Sequence, residues 1–485
     1  MANNILEGAR DFQVDKLKIN VTNVSSSSWG VGPLKELESR IAAGAIHDSA
    51  ERCDAPKCHP ETRVAVQDDL YGWIIDRDGD SEHPKKIKWV TGPAGTGKTA
   101  VMGSLSERCK AAGVLVATFF FASWSASIGR RRKTAFVATL AHQLSRYHPN
   151  LREEISKAVD ANSDVFDKNL HVQMEVLVLG PLQEITGCPD GSDIRGAIII
   201  DGLDECEAEQ YHDTAIPGLG SNCPLPRSSD QDQLEILKVL QTAALHPSFP
   251  FRILIASRPE QVFREFFDPQ NNPTPFSHKL DLHEDYKVDA DITLFLEAQF
   301  NRIRRRYNLP LSWPPIEAIQ TLVRNASGQF IYAATVIRYV AKSPKAHPDD
   351  QLQSILEMTP TTTSNPFEIL DSLYSHILES SPDAALSVRW IRGIRSYIGS
   401  TESAYHVNLL LETKPGEAEY LLGSLHSLIR IPPRNAQATT KYDLYHKSLN
   451  DYLDDRDRCG RLYIQFDELI DFLWDRFNRA CAIKI

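Results

Sequence analysis

The chain has no apolar run long enough to cross a bilayer as a helix. The longest, around Val114 to Ala126, falls short of the ~20 residues such a span needs and reads instead as a buried strand with its flank. The N-terminus lacks the basic, apolar and small-residue succession of a secretory leader. Cysteine is sparse, eight in 485 residues, so free thiols in a reducing, cytoplasmic setting are expected rather than a disulfide-stapled fold. Cys53, Cys58 and His59 have metal-like spacing, but no second pair follows to complete a zinc set. A basic excess is also missing: 53 Lys and Arg stand against 64 Asp and Glu, a formal net charge of −11. That balance argues against a general grip on nucleic acid. The basic clusters Arg130 to Lys133 and Arg302 to Arg306 read as solvated surface. No period of about 20–50 residues recurs, so no solenoid or propeller is predicted. Apolar residues, at 42%, are plentiful enough for about two to four packed domains.

Against this background one segment stands out. Gly92-Pro93-Ala94-Gly95-Thr96-Gly97-Lys98-Thr99 is a complete G-x-x-x-x-G-K-[ST] loop, the Walker A pattern. Glycines let the backbone curl so that successive N–H groups face a phosphate chain, and the following helix adds its positive N-terminal end. Lys98 would reach the β- and γ-phosphates, and the Thr99 hydroxyl would ligate Mg²⁺. The context fits, with a β-branched run at Ile87 to Thr91 before the loop and a helical pattern from Ala100 to Lys110 after it.

A phosphate loop leaves the metal half-coordinated and supplies nothing to orient water. Ala197 to Asp201 is a short apolar run ending in a carboxylate, as expected of a central parallel strand, and Asp201 is the Walker B candidate for Mg²⁺. Asp204 and Glu205 follow within one turn; either could hold the attacking water, or simply begin a loop or cap a helix. A third strand-like run, Phe251 to Ser257, leads into Arg258. There a guanidinium could sense the terminal phosphate, or could be a surface arginine.

Strands at 87–91, 114–121, 197–201, 251–257 and 278–282 alternate with helical segments, which predicts an α/β fold: a mainly parallel sheet with helices on both faces. The organisation expected is a flexible tail over 1–50, with a short helical pattern from Pro33 to Ala43, and an NTPase domain over 51–285. That domain has a leading helix from Val64 to Ile75 and a loop insertion from Gly218 to Gln233. From 286 to 345 the period turns helical, with Ile292, Phe295, Leu296, Phe300 and Ile303 on one face. A linker at 346–366, a winged-helix-like domain at 367–460 and a C-terminal helix at 461–485 complete the chain. Asp451, Asp454, Asp455 and Asp457 give that winged helix the wrong charge for DNA.

The set GPAGTGKT, FFFAS (119–123), IIIDGLDEC (198–206) and ILIASRPE (253–260) resembles the NACHT domain of STAND signalling NTPases, especially the fungal NOD-like receptor type, and a nephrocystin-3-like N-terminal P-loop domain. The lead-in Ala50 to Arg63, the stretch Ala326 to Ala334 and the segment Leu444 to Leu453 are similar to further family motifs, in the family's order. The resemblance implies an ATP/ADP switch. ADP holds a closed monomer, exchange for ATP with Mg²⁺ opens it, and the open form self-associates through the NACHT domain, with slow hydrolysis, in innate-immunity or heterokaryon-incompatibility signalling. It also brings His446 near the diphosphate in the closed state, although a histidine bonding locally at a strand-to-helix turn is the alternative. The family's usual sensor repeats and effector domain are not expected within these residues, so a sensor or signalling partner acting in trans is anticipated. Rival readings are a remodelling ATPase, for which Arg130 could reach a neighbour's nucleotide, a static nucleotide-bound scaffold, and a GTPase. The last is weakened by the absence of an N-K-x-D motif.

Overall fold

The computed structural model describes residues 33–75, 85–123, 125, 127–186, 194–209, 227–271, 276–282, 288–342, 347–358, 367–396 and 402–482. Five parallel strands form the central sheet: β1 (Ile87–Thr91), β2 (Leu115–Phe120), β3 (Ala197–Asp201), β4 (Arg252–Ala256) and β5 (Ser277–Asp281). Their order is β2-β3-β4-β1-β5. Chain-adjacent β1 and β2 are therefore separated by β3 and β4, and each connection crosses a face of the sheet, as parallel strands require.

Side chains alternate between two cores, as the two-residue strand period demands. Ile87, Trp89, Phe119, Ile198, Ile200, Ile253 and Ile255 face one; Val90, Phe120, Ala197, Ile199, Leu254 and Ala256 face the other. Both faces being covered explains why these strands read as continuous apolar runs rather than as alternating ones. The Lys98–Ala111 and Val64–Ile75 helices cover one face. The β2–β3 crossover covers much of the other with the Phe136–Tyr147, Pro149–Ala161, Leu170–Met174 and Gly180–Thr186 helices, elements that none of the expectations above includes.

Several expectations change. Part of the expected tail is packed: the Pro33–Ser39 helix buries Leu37, and Ala42 and Ala45 join the same core, with the Ala42 N–H donating to Thr139 Oγ1 at 2.9 Å. Residues 1–32 lie outside the described residues, as do 218–226 of the expected insertion. Its end, 229–233, opens the Ser229–Leu245 helix under a Ser228/Gln231 capping box. The expected linker holds the Pro348–Leu356 helix, whose Leu352 and Ile355 are buried; its own polar residues face out and mask its apolar spacing.

From Val288 to Leu473 one continuous apolar core joins the helices that follow the sheet. It includes Val288–Tyr307, Ile316–Ala326, Phe330–Lys342, Glu368–Glu379 and Ala384–Arg395. Two short antiparallel strands, β6 (Ile429–Arg430) and β7 (Asp443–Leu444), then form the hairpin of the winged-helix-like part, and Lys447–Asp454 follows directly. Phe466–Ala482 is the last helix.

Candidate functional site

The site lies at the C-terminal edge of the sheet. Asp201 pairs in register with Ala256, and Val90 pairs with the same residue from the other side. Because β4 separates β1 from β3, the chain leaving β4 emerges between the phosphate loop and the acidic strand end, the crevice in which open α/β sheets bind ligands.

The loop from Gly92 to Gly97 follows β1. Gly92, Gly95 and Gly97 have φ of 148°, 83° and 89°, a backbone that side-chain-bearing residues rarely adopt. Thr96 Oγ1 donates to Pro93 O at 3.0 Å and closes the turn. Lys98 and Thr99 open the Lys98–Ala111 helix, so the loop's N–H groups and the helix terminus converge on one point. The Lys98 ammonium donates to Gly92 O at 2.6 Å and Pro93 O at 2.9 Å. Burial pushes its pKa down to about 8 against the pull of Asp204.

Across the cradle, buried Asp201 lies near enough to Thr99 to feel its hydroxyl, while its Oδ1 has no hydrogen-bond partner. Burial pushes its pKa up to about 6, opposed by Thr99 and Arg52. A threonine hydroxyl beside a carboxylate with an orphaned buried oxygen is a hard-oxygen donor set suited to Mg²⁺. The two acids beyond it differ in engagement. Asp204 Oδ1 accepts the Arg258 backbone N–H at 3.1 Å, and its Oδ2 lies 3.3 Å from Arg258 Nε. Glu205 Oε2 instead accepts the Ser123 N–H at 3.0 Å, and burial raises its pKa to about 7. Asp204 thus fastens the turn after β3 to the segment after β4, whereas Glu205 holds Ser123 beyond β2.

Arg258 is not a surface residue. Its Nη1 also reaches Asp451 Oδ2 at 2.7 Å, and the two carboxylates outweigh burial and keep it charged. Asp451 belongs to the Lys447–Asp454 helix, whose N-cap is His446. His446 Nδ1 accepts the Ser448 N–H at 3.1 Å and lies 2.7 Å from Ser448 Oγ, which in turn lies 2.6 Å from Tyr374 OH. An accepting Nδ1 leaves the neutral ring's proton on Nε2. Burial, then Arg258, Arg338, Lys98 and Lys447, push its pKa down to about 3. The contacts His446 makes are therefore those of the local capping role at a strand-to-helix turn.

The basic cluster Arg130 to Lys133 is not a solvated face throughout. Arg130 is buried, with its Nε donating to Phe120 O at 3.3 Å and its Nη1 3.4 Å from Glu51; Lys133 is buried between Asp232 and Glu235. Turned inward, Arg130 does not extend toward a neighbouring molecule.

Other residues join the site without any local motif to announce them. Buried Arg63, at φ 58°, donates to Thr96 O at 3.0 Å and to Leu282 O at 3.2 Å, and lies over the Phe330 ring. Arg52 stacks on Phe120 at 3.5 Å. The Ile331 N–H donates to Gly95 O at 3.3 Å, so the helical region rests on the phosphate loop itself. Each is a contact distant in sequence. The only advance signal was that the lead-in and the 326–334 stretch carried family-like patterns.

No curated protein matches the chain. Among solved structures, a Walker-type ATPase of Pyrococcus abyssi aligns at 12% identity and TM-score 0.36, covering 82% of this chain and 97% of that one. The ORC2 protein of Aeropyrum pernix, in ADPNP–ADP complexes, aligns at 13% and 0.34, covering 88% and 98%. The ORC1 protein of the same organism, in complex with DNA, aligns at 14% and 0.32, covering 89% and 96%. Within the sequence, residues 71–258, from the leading helix to the arginine that follows β4, match the family described as Nephrocystin 3, N-terminal.

Proposed function

We propose that this chain is a nucleotide-operated conformational switch of the STAND type, closed with ADP and opened by exchange for ATP·Mg²⁺. The observation that carries the reading is Arg258, which is held at once by Asp204, in the turn after β3, and Asp451 of the winged-helix-like part. A γ-phosphate entering the crevice competes for that guanidinium, because it offers a stronger charge-assisted contact than a single carboxylate. Taking Arg258 from Asp451 releases the helix that His446 caps. The neutral His446, with its proton on Nε2, is suited to donate to a diphosphate and favours the closed form.

In this reading the Gly92 to Gly97 N–H groups and Lys98 hold the phosphates, Thr99 and Asp201 hold Mg²⁺, and Glu205 orients water for slow hydrolysis. Mg²⁺ supplies charge neutralisation of the phosphates. The opened form self-associates through its NACHT domain and meets a sensor or signalling partner in the cytoplasm, in NOD-like-receptor-type signalling. None of the helices formed by described residues is long and apolar enough to span a membrane.

A remodelling ATPase is the second reading, for which the acid Glu205 in the turn after the Walker B strand would serve as the base. The deciding experiment identifies the nucleotide that co-purifies with the chain and follows its mass by light scattering before and after exchange to ATP·Mg²⁺. Bound ADP on a particle that enlarges with ATP supports the switch. Rapid turnover without a change of mass favours the remodelling enzyme, and retained nucleotide with neither response favours a static scaffold.

A further inference from the structure

The lead-in before the leading helix places a buried arginine beside the acidic strand end. Arg52 is 7% exposed, and its guanidinium lies over the Phe120 ring at 3.5 Å. Phe120 pairs in register with Asp201, so the two side chains stand on the same face of the sheet. On its other side the guanidinium meets the Lys98–Ala111 helix, where a Cβ on Gly103 would lie 4.0 Å from Arg52 Nη2. Gly103 follows Thr99 by one turn, on the same helix face. Arg52 therefore sits between the end of the sheet that carries Asp201 and the helix that carries Thr99.

What distinguishes Arg52 is its bonding. Its side chain has no hydrogen bond and no ion pair among the described residues, and its Nε is buried without an acceptor. Burial pulls its pKa down to about 10, with Asp201 opposing, so it remains a cation at neutral pH. Neighbouring Arg130, by contrast, is engaged by Phe120 O and Glu51. A buried charge without a bonded partner is destabilising unless an opposite charge nearby offsets it. The carboxylate in the same layer is Asp201, whose Oδ1 is also without a hydrogen-bond partner. The two charges share a layer without closing to a direct ion pair, which leaves that oxygen open to another cation.

We propose that Arg52 is a positioning residue of the metal site: a fixed counter-charge that offsets Asp201 while the metal is absent and tempers the site's hold on Mg²⁺ when the metal enters. The inference rests on the reading that Thr99 and Asp201 hold Mg²⁺. A fixed cation there acts in two opposite directions. It repels Mg²⁺ and so weakens metal binding, and it attracts the phosphates of a nucleotide that arrives without metal. A metal held less tightly suits a site that must exchange its nucleotide.

The test is calorimetric titration of Mg²⁺ into the metal-stripped full chain loaded with ADP, beside titration of ADP with and without Mg²⁺. Arg52→Met keeps an unbranched side chain over Phe120 and removes the charge; Arg52→Gln is an independent uncharged variant. Both are expected to bind Mg²⁺ about 10-fold more tightly than wild type and metal-free ADP about 10-fold less tightly, the scale of one nearby charge in a partly screened site. With saturating Mg²⁺ the two effects should largely cancel. Lost packing would instead weaken both ligands, and circular dichroism checks the fold of each variant. Arg52→Lys keeps the charge without the planar stack and should stay close to wild type in both titrations. Mg²⁺ affinity unchanged or lowered in the uncharged variants overturns the proposal. So does a loss of ADP binding that is equal with and without Mg²⁺, or an Arg52→Lys chain that behaves like Arg52→Met. A wild-type chain that takes ADP but binds no Mg²⁺ removes the metal-site reading itself, and this inference with it.

Discussion

The Lys98 ammonium rests on two loop carbonyls, Gly92 O and Pro93 O, the position from which it would turn to phosphate oxygens. Lys98→Ala is expected to weaken ADP binding about 10- to 100-fold, the loss of one charge-assisted contact of roughly 1.5–3 kcal/mol, by calorimetric titration with ADP·Mg²⁺. Wild-type affinity in that variant would overturn the phosphate-site assignment. Glu205→Gln should leave binding intact and slow phosphate release by about 100-fold or more; unchanged turnover moves the base role to Asp204. Asp201 links the site to pH. With its folded pKa raised from 3.8 to about 6, the folded chain holds a proton that the unfolded chain has already lost. Its contribution to stability therefore falls as pH rises through that interval. Between about pH 4 and 6.5, nucleotide-free wild type should lose more melting temperature than Asp201→Asn; parallel curves would contradict the raised pKa. Lys98, Thr99, Asp201 and Arg258 were legible because each closes a contiguous pattern. Ser123 and Arg63 were not, because what makes them part of the site is a partner 82 residues away in one case and 33 in the other.

Among the elements, the five strands fall within a residue or two of the marked runs; β1 to β4 are largely buried on both faces and have few ways to look like anything else, whereas β5 is an edge strand that buries only Leu280. What patterning does not reveal is that β4 lies between β1 and β3, the arrangement that brings Arg258 to the phosphate loop. The loop itself is tied to the Phe330–Lys342 helix. A Cβ on Gly95 would lie 2.3 Å from Ile331 Cγ2, at a φ of 83° that also disfavours a side chain. Gly95→Ala is thus expected to separate the helical region from the loop. Faster proteolysis of the segment between residues 282 and 330 would show it, with a melting temperature lowered by several degrees, as a loss of about 1–3 kcal/mol produces. Protection equal to wild type would mean that the helix yields without opening.

Over the whole molecule, the sheet and the helical core are joined across the site by Arg258–Asp451 at 2.7 Å and, farther along, by Arg430–Asp54 at 2.7 Å. Asp451→Asn keeps the side chain's size and removes the charge that competes with a γ-phosphate. It should speed release of a fluorescent ADP about 10-fold or more, the equivalent of one charge-assisted contact. His446→Ala should do the same and raise basal assembly, whereas exchange at the wild-type rate would confine His446 to capping its helix.

The sequence by itself determined the phosphate loop, the acidic strand end and the parallel α/β sheet, because these depend on neighbours within one strand, turn or helix. Only the tertiary structure decided that Arg258 answers to Asp451, that Arg130 turns inward, that residues 33–45 pack on the sheet's helices and that the expected linker contains a packed helix. Those outcomes rest on pairings between segments far apart along the chain. Local spacing carries no information about them until the strand order and the long helical core bring the partners together.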